Sequence, residues 1–287
     1  MGILFAFLAV VSWGVGDFLI QRSARKFGDW IALFYVTAFA AIILFPFVFF
    51  NLPSLLNNPS GLITLVVASF VILIAGLLDF EALKVGKLSV IEPIYAFEVP
   101  IAALLAGFFV SEWLSIWEII LIIGIMLGIF LISIRSWQTI KKIHLEKGVI
   151  LAVLATVAMG GVNVLFGVGS RSTDPLMINW FTSIFMAIVT GCYLTYNNHW
   201  HKVKNDWMEN KRLIFSVGLF DAIAWVAYSF TTLYLPIGIA TGITESYIGL
   251  ASMLGVILNK EKLKRHQWLG FFITVASAIV LAILANQ

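Results

Sequence analysis

The chain has 287 residues, of which 61% are hydrophobic and 11% charged, and its formal net charge at pH 7 is +3. Soluble domains are closer to about 45–50% apolar and about 25% charged, so the composition excludes a soluble protein and leaves no room for a separate soluble domain. The basic residues stand in short loops, which does not indicate a nucleic-acid-binding face. With Cys192 as the single cysteine, no intramolecular disulfide can form.

Ten apolar runs follow one another along the chain. A helix needs about 20 apolar residues to cross a bilayer core of about 30 Å. Runs of this length cover 3–21, 31–50, 62–80, 88–110, 116–134, 148–168, 176–196, 213–234, 237–258 and 267–285. The N-terminal run lacks the basic segment of a cleaved signal peptide, so the first span is expected to be retained. The sequence therefore predicts an all-α integral membrane fold with ten transmembrane helices.

The basic residues predict the orientation of these helices. Of the 18 Lys and Arg residues, all except Arg171 lie in loops that follow odd-numbered spans. Cytoplasmic loops carry an excess of basic residues. The odd-numbered loops are therefore expected in the cytoplasm and both termini outside, with the protein in the plasma membrane.

The first five spans resemble the last five. Glu112 aligns with Glu261, and Asp17 in the first span aligns with Asn163 in the sixth. Because five is an odd number of crossings, the second copy must be inverted, which is a recurring architecture of secondary transporters. The sequence predicts repeats over 1–134 and 148–287, joined by a cytoplasmic linker at 135–147.

Several landmarks resemble the EamA-type transporters of the drug/metabolite transporter superfamily. They are Ser12-Trp13-Gly14, the segment Glu81–Gly86, Pro100, Glu112 and Glu261. The resemblance implies a secondary carrier of small metabolites, often an exporter of amino acids or related compounds, and not an enzyme. The resemblance also implies that both termini lie in the cytoplasm, whereas the loop charges predict that both lie outside.

Three carboxylates lie near the middle of predicted spans: Glu98, Asp221 and Glu245. A charge at the bilayer centre costs roughly 2.5 to 3.5 kcal/mol even on lenient scales, so such residues usually face a protein interior and mark a pathway. The repeat register places Glu245 opposite Ala96, close to Tyr95 and Glu98. Both halves are therefore expected to place acid near the middle of the matching helix, where it binds protons or cationic groups.

Asp221 begins a stripe on one helix face that continues with Trp225, Tyr228 and Thr232. Aromatic rings beside an acid suit a cationic substrate. An interhelical packing contact is the alternative, and the pattern leaves both open.

Trp13 and Asp17 share one face of the first span, and the repeat equivalent of Asp17 is the uncharged Asn163. These three residues are candidate site residues. Arg22 and Arg25 stand close enough along the helix to neutralise Asp17, and this alternative would make it structural.

Glu112 and Glu261 are expected to be structural, whereas for Glu92 an interfacial and a functional role are both open. Glu112 and Glu261 each open a helix, where a carboxylate stabilises the free N–H groups.

Two acids close together, Asp79 and Glu81, are expected to pair with Lys84 and Lys87 at the cytoplasmic end of the third span.

The chain contains no glycine-rich phosphate loop, nucleophile elbow or Cys/His metal cluster, so neither a metal nor another cofactor is predicted. The sequence predicts a secondary transporter of a small metabolite, such as an amino acid or amine, that works by alternating access coupled to protons. A uniporter or lipid-linked carrier of the same fold and a membrane-embedded lipid-modifying enzyme are the alternatives. The expected partners are the substrate and the lipid bilayer, without nucleic acid, in a monomer or homodimer.

Overall fold

The computed structural model describes residues 1–86, 91, 94–133, 147–250 and 264–285. Every regular element in these ranges is a helix. The helices are α1 (Gly2–Phe27), α2 (Asp29–Val48), α3 (Leu52–Leu56), α4 (Pro59–Val85), α5 (Glu98–Val110), α6 (Ile116–Ser133), α7 (Lys147–Ser172), α8 (Pro175–Tyr196), α9 (Trp200–Tyr234), α10 (Ile237–Thr244) and α11 (Arg265–Leu284), with a 3₁₀ turn at Phe49–Asn51.

Seven of the described helices are long and apolar enough to cross a membrane, and α5 and α6 are shorter apolar helices. This confirms the prediction of an all-α membrane fold. The predicted fourth and ninth spans extend beyond the described residues, so the number ten stays a prediction. Several further predictions lie outside the described residues: most of the linker at 135–147, and the roles of Lys87, Glu92 and Glu261.

Side chains at the loops fix where helices begin. The Asn58 side chain accepts a hydrogen bond from the Gly61 N–H at 3.0 Å and caps α4. Asp174 caps α8 by accepting from the Leu176 N–H at 2.7 Å. Between α1 and α2 the chain turns at Gly28, whose φ of +90° favours glycine.

Helices from the first half pack along helices from the second half in a symmetric pattern. α1 lies along α9 and α4 along α7, while α2 packs on α8, α5 on α10 and α6 on α11. Each half has five helices when the short α3 is left out. The first helix of each half packs on the third helix of the other half, whereas the second, fourth and fifth helices each pack on their counterpart. The two predicted five-helix repeats would pair in this way about a twofold axis.

Ion pairs join the ends of helices at one end of the bundle, which we call the basic end. Lys84 Nζ lies 2.7 Å from Glu81 Oε2 and 3.2 Å from Asp29 Oδ1. Lys147 Nζ lies 3.0 Å from Glu81 Oε1 and so ties α7 to α4. The predicted pair between Glu81 and Lys84 is therefore present.

A network around Arg171 joins the chain at the opposite end. The guanidinium lies 2.5 Å from Glu112 Oε1, and it donates to the carbonyls of Thr232 at 2.8 Å and Leu235 at 3.0 Å. Glu112 Oε2 accepts from the Ile237 N–H at 2.7 Å. Glu112 was expected to stabilise the helix that it opens. It instead caps α10, because it stands in the non-helical connection before α6, from which its side chain reaches the neighbouring helix.

Candidate functional site

A cavity of about 70 Å³, which we call the acidic chamber, lies between the two halves. Five carboxyl-bearing residues line it: Asp17, Asp79, Glu98, Asp221 and Glu245. They come from α1, α4, α5, α9 and the turn after α10, so the chamber needs both halves of the chain. None of the described residues that line it is basic. A water molecule occupies about 30 Å³ of liquid, so the chamber has room for a few waters or a small polar group.

Two helices are interrupted at equivalent positions beside this chamber. A turn at Ala96–Phe97 precedes α5, and a turn at Glu245–Ser246 follows α10. In both turns an N–H bonds to the carbonyl three residues earlier, at 3.0 Å for Phe97 and 3.2 Å for Ser246. The repeat register that aligns Ala96 with Glu245 superimposes these breaks. Discontinuous helices near the membrane midplane are where inverted-repeat transporters build their sites.

Glu98 and Glu245 are both buried, with 8% and 4% of their surface exposed. Glu98 is the first residue of α5, where the helix dipole favours negative charge. Its Oε2 lies 3.5 Å from the Asn163 amide nitrogen, which donates from α7. Glu245 Oε2 is buried and has no hydrogen-bond donor among the described residues. The structure thus brings the two central acids into one chamber and leaves Glu245 oriented to receive a donor.

Aromatic side chains form much of the rest of the wall. Trp13 and Trp225 meet edge to face with ring centroids 5.2 Å apart, and Tyr247 lies 5.7 Å from Trp13. Tyr95 also lines the chamber, and its buried hydroxyl has no hydrogen-bond partner among the described residues. Of these four, Tyr247 was not a sequence candidate. It stands two residues after Glu245, just past the break, and the break itself has no clear signature in the sequence.

Tyr228, another sequence candidate, lies behind this wall. Its ring is fully buried and packs on Trp13 with centroids 5.7 Å apart. Its hydroxyl donates to the Asn163 carbonyl at 3.1 Å and lies 2.9 Å from the Thr241 hydroxyl. Tyr228 thereby ties α7, α9 and α10 together and supports Trp13 from the side away from the chamber.

Asp79 was expected to form an ion pair at the basic end, but it lines the acidic chamber. Lys84 pairs with Glu81 and Asp29, and Lys87 lies outside the described residues. Side chains two positions apart on an α-helix point about 200° apart, so only one of Asp79 and Glu81 can face the loop. Asp79 follows Ile72 and Gly76 at helical spacing, and both of those line the neighbouring cavity. That spacing is the sequence signal that identifies its face.

Asp17 also lines the chamber, within α1. One of the two arginines expected to neutralise it, Arg25, donates instead to the Gly86 carbonyl at 2.8 Å. The two arginines lie beyond it toward the basic end of α1, whereas Asp17 faces the bundle centre beside Trp13.

A second cavity of about 60 Å³, which we call the apolar chamber, adjoins the first. Four residues line both cavities: Phe80, Met159, Asp221 and Trp225. Most of the other walls are aliphatic or aromatic side chains from α2, α4, α7 and α8. The two chambers therefore share one wall, at which the aromatic ring of Trp225 stands beside the Asp221 carboxyl group.

Comparisons with known proteins agree with this architecture. The model of the EamA-like transporter family matches the chain over residues 1–134 and 146–283. An uncharacterized protein of Methanocaldococcus jannaschii, MJ1333.1, is 29% identical over 137 residues, which cover 47% of this chain and 97% of that protein. A solved crystal structure superimposes with a TM-score of 0.74 at 13% identity, covering 100% of this chain and 99% of the other. At that identity the superposition shows a shared fold alone.

Proposed function

We propose that this chain, which belongs to the EamA-like transporter family, is a proton-coupled secondary transporter that moves a small metabolite across the plasma membrane by alternating access. Membership of the family confirms the resemblance carried by Ser12-Trp13-Gly14 and its companion landmarks. It makes the chain a multi-pass membrane transporter with a small-molecule substrate and a lipid bilayer around it. The coupling, the mechanism and the site residues are the proposal.

The observation that carries the proposal is the acidic chamber itself. Two like charges about 4 Å apart repel by roughly 4 kcal/mol at an effective dielectric constant of 20. Five carboxyl groups around one cavity of about 70 Å³ therefore do not all stay ionised unless protons or cations enter. Protons and substrate then compete for the same groups, and that competition couples the movement of one to the movement of the other.

The geometry supports a division of roles among the lining residues. Glu98 and Glu245 lie beside the two helix breaks, where movement of one half against the other changes their surroundings first, and we assign them the proton exchange. Asp221, with Trp225 on the same helix face and Trp13 across from it, is assigned to substrate binding.

The remaining candidates position these groups. Asn163 donates to Glu98, and Tyr95 lines the same cavity as Asp79. Asp17 adds charge to the same cavity, and Tyr228 holds Trp13 in place.

The networks at the two ends support alternating access. Arg171 and Glu112 join the halves at one end, and Lys147 and Glu81 join them at the basic end. Rocking of residues 1–134 against 148–287 opens one network while the other closes. From the positive-inside rule we propose that the basic end faces the cytoplasm, with both termini outside.

The proposal is tested in proteoliposomes that contain a pH-sensitive dye and carry an imposed pH gradient. A panel of amino acids, amines, nucleosides and sugars is added one at a time. The wild type is expected to concentrate one of these solutes while protons move down their gradient. Glu98→Gln and Glu245→Gln are expected to lose this coupled movement, because an amide cannot exchange the proton. Glu118→Gln is the matched control, since Glu118 does not line the acidic chamber and its side chain accepts from the Ser115 N–H at the start of α6.

Two results would contradict the proposal. If both chamber variants couple solute to protons as the wild type does, Glu98 and Glu245 do not belong to the proton pathway. A solute that equilibrates but is never concentrated by the gradient would identify a uniporter, in which the acids only orient the substrate.

A further inference from the structure

The acidic and apolar chambers differ in chemistry although they share a wall. Phe80, Met159, Asp221 and Trp225 line both cavities, whose volumes are about 70 and about 60 Å³. A single molecule that spans this wall places one end among carboxyl groups and the other among hydrocarbon side chains. Each chamber therefore selects a different part of the same ligand.

Charge decides which group the acidic chamber accepts. No basic side chain is present among the described residues that line either chamber. A ligand carboxylate or phosphate would meet like charges there without a compensating cation, whereas an ammonium group forms charge-assisted hydrogen bonds with carboxylates. Glu245 Oε2 is buried without a donor from the described residues, and an ammonium N–H supplies one. The chamber thus favours a cation over an anion or a zwitterion.

The aromatic wall favours the same group. Trp13 and Trp225 meet edge to face beside the acids, and Tyr247 packs on Trp13. The face of a tryptophan or tyrosine ring attracts an ammonium ion, most strongly where water is excluded. An ammonium in this chamber therefore meets carboxylates and ring faces together.

Three polar side chains of the apolar chamber, those of Thr37, Asn179 and Thr182, are already hydrogen-bonded within the protein, and Ser183 is the other neutral polar residue in its wall. The Thr37 and Thr182 hydroxyls each donate to a carbonyl of their own helix at 2.8 Å. The Asn179 amide donates both to the Pro175 carbonyl and to the Ser229 hydroxyl, at 2.7 Å in each case. A ligand thus finds few free donors there, and burial of hydrocarbon is what the chamber offers.

We propose that the substrate is an organic amine that carries a compact apolar group and no carboxylate. Its ammonium group lies in the acidic chamber, and its apolar group lies in the apolar chamber across the wall formed by Asp221 and Trp225. This assignment rests on the proposed transport function of the same cavity.

Binding to the purified wild-type protein tests the assignment without any variant. Trp13 and Trp225 line the site, so quenching of tryptophan fluorescence reports occupancy, and calorimetry confirms it. The probes are isobutylamine, ethylamine, valine and 3-methylbutanoate, whose apolar groups are small enough for a cavity of about 60 Å³. Isobutylamine is expected to bind at least about tenfold more tightly than each of the others, because only it fills both chambers without a second charge. Equal or tighter binding of valine or 3-methylbutanoate would overturn the assignment.

A variant locates the apolar group. Ala222 is buried and lines the apolar chamber. Ala222→Leu is expected to weaken isobutylamine binding by about tenfold through loss of space and to leave ethylamine binding unchanged. Val157→Leu enlarges a side chain that is 56% exposed and serves as the control. Unchanged isobutylamine binding in a folded Ala222→Leu protein would place the apolar group elsewhere and refute the assignment.

The proteoliposome assay separates this assignment from the proposed function. Isobutylamine that binds tightly but moves without protons supports the substrate class and contradicts proton coupling. Proton-coupled transport of valine, with no movement of isobutylamine, supports the transporter and contradicts the substrate class.

Discussion

Replacing Arg171 by alanine is expected to destabilise the protein by about 3 kcal/mol. The guanidinium makes two hydrogen bonds to carbonyls and one ion pair, and Thr232 and Leu235, which supply the carbonyls, are buried. Each hydrogen bond contributes about 1 kcal/mol net. The ion pair to Glu112 is partly exposed, with side chains 30% and 21% accessible, and contributes about 1 kcal/mol.

The free energy of unfolding is measured by titration with sodium dodecyl sulfate in mixed micelles. Lys147→Ala is the control, because its ion pair to Glu81 has a lysine side chain that is 71% exposed, and its removal is expected to cost less than about 0.5 kcal/mol. A double-mutant cycle with Glu112→Gln isolates the ion pair, with an expected coupling of about 1 kcal/mol. An Arg171→Ala protein as stable as the Lys147→Ala protein would refute the view that this network holds the two halves together.

Two further predictions concern contacts between helices, one a close approach and the other a buried hydrogen bond. Gly160→Ala is expected to lower stability by about 1–3 kcal/mol, since a Cβ there collides with a side chain of α5. Gly161→Ala, whose Cβ meets no atom closer than 4.0 Å, is its control, and equal melting temperatures of the two variants would contradict the close approach of α5 and α7. Asn179→Ala is expected to cost about 1–3 kcal/mol because it leaves the buried Ser229 hydroxyl without this donor. Thermal unfolding in detergent measures it, and a change below about 0.5 kcal/mol would mean that this bond contributes little.

The positions of Glu98 and Glu245 show what the sequence predicts well. Hydropathy locates both acids near the middle of apolar runs, and the repeat register aligns Glu245 with a neighbour of Glu98. The position of a residue within an apolar run and its counterpart in the other repeat can both be found in a single sequence. The structure adds that both helices break there, which depends on hydrogen bonding that hydropathy does not report.

Asp79 and Tyr228 show what such reading leaves undecided. Asp79 lies near lysines in the sequence, so its neighbours along the chain predicted an ion pair. Its position on the helix instead directs it to the acidic chamber. Tyr228 shares a face with Asp221 and Trp225, but a helix face is wide enough to reach both a cavity and the contact behind it. The neighbouring helices decide whether a side chain lines the cavity or packs behind it. Which helices pair between the two halves cannot be predicted from a single sequence.

The exchanged pairing of α1 with α9 and of α4 with α7 has a consequence for synthesis. The first half enters the bilayer before its partners exist, and α1 must wait for a helix that begins at Trp200. Until then the carboxyl groups of Asp17, Asp79 and Glu98 lack the walls that later enclose them. Insertion of the second half completes the protein and shields those acids from lipid, so a nascent chain that stalls midway exposes polar helix faces that quality-control proteases of the membrane can recognise.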